Sequence, residues 1–566
     1  MSQVWARDRV KKRHLHAQQS VSFMYNPEAP FGLELMAERK RRGHVLKTGG
    51  GVTMNLVTII QRNGRHYPND TALIEVRPVS NVRKAVTWGQ FSERINRSAN
   101  ALTRRGVKKG DKVLIFGKNS INWLEAYFGV ISAGAWAVPL NFRFTDKDLE
   151  FCANVAEPVA FIMEEEYANR VHAIRSRFPM VRDYICMGTF QEMASMEKLI
   201  EDASPAPPNV NIEDEDECAL YFTSGTTGAP KPVLHLHRTM MCVAINEMAC
   251  EHWDHSDCLL MLPPFYHLAM GHLLGCFLVA GRAVLLTEQI TPQTIFENVS
   301  RELVTLSFLL VPWVIDILEA LDAGKLKKDD YDLTSWRLLY MGAQPIPPSL
   351  VQRWKEYFPH MQFDNTYGLS ESAGPHTLHL GMGNEKKAGS IGKPGPLWDA
   401  RITNDDGENV PQGEVGEILV KGCGVMKEYY KNPELTSETI RDGWLHTGDL
   451  GRMDEEGFIY LVDRKKDLVI SGGENVYPVE VEETIQRHPK VRDVAVIGTP
   501  DERLGEIVTA VIEPVPDSVL TEEEIDLYCE QNLPRYRRPR RIIFDMVPRS
   551  PTGKVEKPKL REKWAR

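Results

Sequence analysis

Between residues 72 and 162 short apolar runs alternate with amphipathic stretches, and this alternation restricts the chain to a small set of folds. TALIEV, KVLIFG and AWAVPL have the length and composition of strands, whereas TWGQFSERINRSANALTRRG and INWLEAYFGVISAG are long enough for helices. In the first of these helices Thr87 and Gln90 form a capping-box pattern, apolar residues recur at Trp88, Phe91, Ile95 and Leu102, and Gly106 supplies a stop. A β-α-β-α-β order implies a largely parallel sheet with helices on its faces, because parallel neighbours need crossover connections. CLLMLPPFYH, AVLLT, LSFLLVP and RLLYMGA continue the theme to about residue 375.

Beyond that point the texture changes to short strands and turns, with Gly and Pro every few residues, which predicts a β-rich subdomain. From about residue 464 a further unit begins, with strands in VAVIG and EIVTAVIEPV and a helix from Thr521 that has Glu524 in the capping-box position. A chain of 566 residues has room for about three to five structural units at roughly 100 to 200 residues each. The segment EDASPAPPNVNIEDEDE reads as an exposed connector before the strand CALYFT.

The formal charge of -9 at pH 7 argues against nucleic acid as a main partner. Basic clusters occur in residues 1–50, but they lack the apolar region of a secretory signal and read as a solvated extension. The most apolar stretches, FGVISAGAWAVPL and LLGCFLVAGRAVLL, are too short for a membrane helix, so no integral membrane segment is expected. Nine scattered cysteines without a C-x-x-C pair fit reduced thiols, and with them a cytoplasmic location, better than a disulfide framework or a metal site.

YFTSGTTGAPKPV (221–233) concentrates chemistry in one loop after a buried strand. Glycine-exposed N–H groups, the hydroxyls of Thr223, Ser224, Thr226 and Thr227, and the Lys231 ammonium suit phosphoryl oxygens. It is not a Walker A site: Lys231 lies between Pro230 and Pro232, and Pro232 has no N–H to offer a phosphate.

TSGTTGAPK resembles the phosphate loop of the adenylate-forming superfamily, which includes acyl-CoA synthetases, luciferase and the adenylation domains of peptide synthetases. NTYGLSES, GWLHTGDLGRMDEEGFIYLVDRKKDLVISGGENVYPVEVE and PRSPTGKVEK follow in the family's order, so the resemblance runs from about residue 55 almost to the end. Pro232 departs from it, standing where relatives carry glycine. The fold implied is α/β: a large N-terminal domain of parallel α/β subdomains plus a β-rich subdomain (51–463), a hinge (464–466) and a small mobile α+β C-terminal domain (467–566).

The same resemblance implies site residues. ATP would meet Thr223, Ser224, Gly225, Thr226, Thr227, Gly228 and Lys231 in the loop. Gly342, Ala343 and Gln344, with Asn365, Thr366, Tyr367, Gly368 and Ser370, would line the adenine side, and Asp449 and Arg464 would fix the ribose hydroxyls. Glu371 and Thr227 would hold Mg²⁺, which prefers carboxylate and phosphate oxygens. Lys554 resembles the C-terminal lysine that reaches the carboxylate and α-phosphate during adenylation. Lys466 occupies the hinge position, and Ser471, Gly472, Gly473 and Glu474 would line the path of CoA, whose 3′-phosphate the basic string PRYRRPRR (534–541) could meet. His267, Trp313 and Gly342 would wall the acyl pocket, with His267 lining the acyl and thiol channel; a large indole there favours a compact acid over a very long chain.

The implied activity is an AMP-forming acyl-CoA synthetase: Mg-ATP adenylates a carboxylate, then CoA takes the acyl group as a thioester. The acid is expected to be medium-chain, cyclic or aromatic. A stand-alone adenylation enzyme that loads a carrier protein, or a long-chain fatty acid ligase, would carry the same nucleotide motifs. A luciferase-like oxygenation and a non-catalytic nucleotide binder are further alternatives, the latter opposed by the presence of Lys231, Glu371 and Lys554. The sequence leaves the oligomeric state open, a homodimer being one arrangement it allows.

Overall fold

Apolar strands organise two large sheets, and the structure, a computed structural model, describes residues 55–223, 230–342, 346–378, 384–549 and 554–565. All described residues belong to one compact unit within Thr53–Arg566. The basic extension, the loop residues Ser224, Gly225, Thr226, Thr227 and Gly228, and the adenine-side residues Ala343 and Gln344 lie outside the described residues.

The nine-stranded sheet runs, from one edge to the other, Lys393–Pro394, Gly374–Leu378, Gln362–Leu369, Leu338–Gly342, Leu306–Phe308, Cys258–Met261, Arg282–Leu286, Thr71–Arg77 and Val82–Thr87. The eight-stranded sheet runs Glu428–Tyr429, Lys231–Leu236, Glu217–Thr223, Trp136–Leu140, Lys112–Phe116, Ala160–Met163, Asp183–Cys186 and Ala194–Ser195. Interior neighbours are mostly parallel and the antiparallel pairs lie toward the edges, as expected where helices cover both faces.

The five expected elements between residues 72 and 162 all form, but not as one β-α-β-α-β unit. Thr71–Arg77 turns back into an antiparallel strand, Val82–Thr87, and pairs on its other side with Arg282–Leu286 in the nine-stranded sheet. Lys112–Phe116 and Trp136–Leu140 pair with each other in the eight-stranded sheet. The helices α1 (Trp88–Arg104), α2 (Ile121–Ser132), α3 (His237–Cys250) and α4 (Met270–Leu278) share one buried cluster with strand residues of both sheets, including Leu73, Val113, Ala137 and Leu259. An amphipathic helix has one apolar stripe, whereas α2 is buried almost throughout because a sheet or helix meets it on every side. Separate clusters cover the outer faces of the two sheets.

Local chemistry ends the helices where the sequence predicts. Thr87 and Gln90 cap α1 reciprocally, with the Gln90 N–H donating to Thr87 Oγ1 at 3.2 Å and the Thr87 N–H to Gln90 Oε1 at 2.9 Å. Thr521 caps Glu522–Asn532 through the Glu524 N–H at 3.2 Å. Trp398–Thr403, Gly416–Gly422, Ile440–Arg441, Trp444–Met453 and Ile459–Arg464 make the β-rich subdomain, and residues from Val469 onward build a last sheet flanked by three helices.

Candidate active site

Strands Trp444–Met453 and Ile459–Arg464 pair antiparallel with Asp449 opposite Arg464, which puts a carboxylate and a guanidinium on adjacent strands. Asp449 Oδ1 meets Arg464 Nε at 3.1 Å, and Asp449 Oδ2 accepts the Tyr367 hydroxyl at 2.6 Å. The Arg464 pKa is opposed by burial, but Asp449 and then Tyr367, Asp467 and Glu371 outweigh that and raise it. Tyr367 belongs to the strand Gln362–Leu369, so one carboxylate joins the β-rich subdomain to the nine-stranded sheet.

The neighbouring residues expected on the adenine side are held by backbone. Asn365 donates to the Ser390 carbonyl at 2.6 Å and Thr366 to the Met341 carbonyl at 3.3 Å. Gly342 lies opposite Thr366, and a Cβ there would stand 2.5 Å from the Thr366 carbonyl oxygen, so this close approach requires glycine. Gly368 is the penultimate residue of the strand Gln362–Leu369, and the Ser370 carbonyl accepts a 2.8 Å hydrogen bond from His235 Nε2.

Thr223 and Lys231, which flank the expected phosphate loop, face each other in an antiparallel strand pair. Pro232 sits inside the strand Lys231–Leu236, where its carbonyl accepts from the Tyr430 N–H at 2.8 Å. The substitution of glycine therefore falls on a fixed strand position. Lys231 lies 5.3 Å from the Tyr429 ring, and the Tyr429 hydroxyl donates to Glu371. Tyr429 was not among the residues expected here. It joins the site from a two-residue strand, Glu428–Tyr429, paired with Lys231–Leu236, and no local sequence signal marks such long-range pairing.

Lys554 comes from the far end of the chain into this region. Protein atoms crowd its ammonium, and that desolvation, followed by the Arg464 charge, lowers its pKa to about 8 against the pull of Asp449. The residue nevertheless retains an exposed surface, so hydration opposes part of the shift. His267 is half-buried nearby, its pKa lowered to about 4 by desolvation and then by Lys554. It is neutral at pH 7. Its Nδ1 accepts the Ala269 N–H at 3.3 Å, which leaves the proton on Nε2 and makes His267 a donor toward the site more readily than a base.

Trp313, in the helix Val311–Asp322, packs against the clusters on both faces of the nine-stranded sheet. Gly342 lies against Phe308, a member of the inter-sheet cluster, whose ring edge would lie 3.4 Å from a Cβ at Gly342. Phe308 stacks on His272 at 4.5 Å, and His272 Nδ1 lies 2.8 Å from Glu247 Oε2. Glu247, Glu251 and His272 form a fully buried cluster that sequence reading did not single out. The i, i+4 spacing of the two glutamates, Glu247 on α3 and Glu251 at its C-cap, was visible, but the histidine comes from α4. Burial pushes the Glu247 carboxyl up to about 8, raises Glu251 well above the carboxylate range and lowers His272 to about 4, so the cluster is held largely without charge.

The stability consequence follows from the sign of that shift. A carboxyl with a raised folded pKa contributes fully below its unfolded value, about 4.3, and loses that contribution as pH rises toward about 8. Glu247→Gln removes this titration. Thermal unfolding scanned at one fixed rate is expected to give the variant a midpoint at least ~3 °C above wild type at pH 8.5 and close to it at pH 5.5. Equal midpoint differences at both pH values would show that Glu247 is already ionised in the fold.

Lys466, expected at the hinge, is exposed and follows Arg464 by two positions. On one side of it, the Asp463 carboxylate accepts the Val479 N–H at 2.9 Å; on the other, Asp467 pairs with Arg561 at 2.8 Å. Ser471 and Glu474 pair across a two-residue turn in which Gly472 and Gly473 have φ +60° and +86°, the left-handed pair that a type I′ hairpin demands. These four residues form a hairpin tip whose turn glycines are exposed, held by Gly472 N–H donating to the Leu504 carbonyl at 2.9 Å. In the basic string, Arg537 pairs with Glu480 and Arg538 with Glu530.

Comparison with known proteins agrees with this architecture. Residues 60–430 match the family profile described as AMP-binding enzyme, and residues 480–554 match the AMP-binding enzyme C-terminal domain. The chain is 34% identical over 506 residues to a feruloyl-CoA synthase of Amycolatopsis sp, covering 89% of this chain and 98% of that protein. It is 32% identical over 494 residues to the long-chain-fatty-acid–CoA ligase FadD13 of Mycobacterium tuberculosis, covering 87% and 95%. Among solved structures, the anthranilate CoA ligase AuaEII in complex with anthranoyl-AMP superposes with a TM-score of 0.82 at 27% identity, covering 91% of this chain and 98% of that one. The chain belongs to the AMP-binding enzyme family, the adenylate-forming superfamily recognised in its motifs. Within it, the chain is an acid–thiol ligase of the AMP-forming acyl-CoA synthetase type. Among the described residues no helix is long and apolar enough to cross a membrane.

Proposed function

We propose that this enzyme joins a compact carboxylic acid, medium-chain, cyclic or aromatic, to CoA through an enzyme-bound acyl-adenylate. The observation that carries the nucleotide half of this reading is the convergence of Lys554, from the C-terminal domain, on Asp449, Arg464 and His267. The substrate carboxylate is already ionised at pH 7, so attack on the α-phosphate needs no general base; it needs positioning and compensation of negative charge. The Lys554 ammonium supplies a cation where the carboxylate and α-phosphate meet. Asp449 and Arg464 would hold the ribose, and Lys231 with the loop hydroxyls the distal phosphates.

Glu371 suits Mg²⁺ by its chemistry: an oxygen donor at a strand end, oriented by the Tyr429 hydroxyl and backed by the Met426 N–H on the Glu371 carbonyl at 2.8 Å. Thr227 would be its partner ligand. Bound there, Mg²⁺ would neutralise charge on the pyrophosphate leaving group.

For the second half-reaction the C-terminal domain would turn about Lys466, withdrawing Lys554 and presenting the Ser471–Glu474 hairpin to the thiol. That turn would break the Asp463–Val479 contact, which spans the hinge, and leave Asp467–Arg561 intact, since both partners lie beyond it. The compact-acid reading rests on Trp313 and on the aromatic acids in the names of the feruloyl and anthranilate enzymes. FadD13 supports the long-chain alternative.

The deciding experiment incubates purified enzyme with Mg-ATP and linear, cyclic and aromatic acids, each with and without CoA. AMP matched by thioester, greatest for compact acids, is the expected result. Greatest turnover with acids of sixteen or more carbons would overturn the substrate class, and acid-dependent pyrophosphate exchange without any thioester would point to a carrier protein as acceptor.

A further inference from the structure

We propose that Cys242 and Cys423 are a redox modification site, forming a reversible disulfide that ties α3 to the segment supporting Glu371. Their sulfurs lie 3.0 Å apart although 181 positions separate them in the chain. A disulfide needs about 2.05 Å, so roughly 1 Å of closure suffices, within the reach of side-chain rotation. All nine cysteines lie among the described residues; Cys423 is the exposed one, and Cys242 is buried behind it. An oxidant therefore meets Cys423 first and finds the resolving thiol already in contact.

The surroundings favour that order. Arg238 donates from Nη1 to the Cys423 carbonyl at 3.2 Å, placing a guanidinium beside the thiol, with Glu215 on its Nε side at 2.9 Å. The hydrogen bond between the two thiols, helped by Arg238, lowers the Cys423 pKa to about 6 against desolvation; the same contact, followed by burial, raises Cys242. The Arg238 guanidinium beside the exposed Cys423 thus favours its thiolate, the nucleophilic form.

With a hydroperoxide as oxidant the atoms balance in two steps. The Cys423 thiolate attacks the peroxide O–O bond, taking one oxygen to become a sulfenic acid while the other leaves as hydroxide or alkoxide and is protonated. The Cys242 sulfur then attacks the sulfenic sulfur, the S–O bond breaks, and the oxygen leaves as water with the Cys242 proton. Two thiols have lost two electrons and the peroxide has gained them. A dithiol reverses the bond by exchange.

The link would act on the active site through a short path. From Cys423 the chain runs to Met426, whose N–H holds the Glu371 carbonyl at 2.8 Å, then to Lys427, whose N–H holds the Leu234 carbonyl at 2.9 Å, and to Tyr429 on the Glu371 carboxylate. Pinning its first residue to α3 shifts the support of Glu371.

Full-length enzyme treated with a small molar excess of hydrogen peroxide, alkylated and digested without reductant, is expected to yield a linked Cys242–Cys423 peptide that dithiothreitol abolishes. ATP-dependent AMP formation with an accepted acid is expected to fall at least threefold and recover on reduction. In Cys423→Ser neither the peptide nor the peroxide-dependent loss should occur, while untreated activity stays at the wild-type value. In Cys242→Ser the sulfenic acid should persist at Cys423 and be captured by dimedone. Absence of the linked peptide in wild type overturns the site, whatever the enzyme's substrate proves to be. A linked peptide with unchanged activity, or an equal loss in Cys423→Ser, overturns the coupling to Glu371.

Discussion

Lys554→Ala is expected to lower the adenylation half-reaction, followed as acid-dependent ATP–pyrophosphate exchange, by roughly 10²- to 10³-fold, the range seen when one preorganised electrostatic contact to a transition state is removed. Thioester formation from supplied acyl-adenylate and CoA should stay within about threefold of wild type, because the proposed turn about Lys466 would have carried residue 554 away in that half-reaction. The pH profile carries the same assignment. Lys554 is cationic below about 8 and neutral above it, so adenylation should decline as pH rises through that value. Lys554→Arg, which stays charged throughout, should lack that upper limb even if its maximum is low. Equal losses in both half-reactions would assign Lys554 to a step that they share, and an unchanged upper limb in Lys554→Arg would place the titration elsewhere.

Asp449→Ala is expected to raise the KM for ATP by about 100-fold. The carboxylate is buried, accepts from Tyr367 and faces Arg464, and the proposed ribose contacts would be charge-assisted hydrogen bonds worth roughly 1.5–3 kcal/mol each. The substitution also strands the Arg464 guanidinium, a type of loss that costs about 3–5 kcal/mol when a pair is buried, so part of the effect is structural. Tyr367→Phe separates the two contributions: it removes the Tyr367 hydroxyl from Asp449 and leaves both carboxylate oxygens in place, and its KM for ATP should rise less than tenfold. A rise in Tyr367→Phe equal to that in Asp449→Ala would mean that the Tyr367–Asp449 link, not a ribose contact, sets nucleotide affinity.

The two variants test different parts of one arrangement. Asp449 and Arg464 lie on neighbouring strands of the β-rich subdomain, with Asp449 before the proposed hinge (464–466) and Arg464 at its first residue, whereas Lys554 lies beyond it. Nucleotide affinity should therefore follow Asp449 in both half-reactions, and Lys554 should matter in one. The Val479 N–H on the Asp463 carboxylate spans the proposed hinge, and burial raises the Asp463 pKa to about 6.

Local features were legible in the sequence wherever their determinants lie within a few residues. Thr87 and Gln90 cap a helix because the two residues they join are three apart, and Gly472–Gly473 make a hairpin because two successive left-handed residues admit little else. Asp449, Arg464, Glu371 and Lys554 were legible as a set because their motifs match those of a family, a resemblance that carries spatial information which no single residue does. The sequence by itself thus determined the strands and helices, their caps and the inventory of a nucleotide site. Only the tertiary structure decided that Thr71–Arg77, on its side away from Val82–Thr87, pairs with a strand some two hundred residues on, that Tyr429 bridges Lys231 and Glu371, that Glu247 and Glu251 meet His272, and that Cys242 touches Cys423. Each of these depends on pairing between distant segments, which is set by the total apolar surface two sheets and their shared helices can bury, a property of the assembled core that no short window of sequence contains.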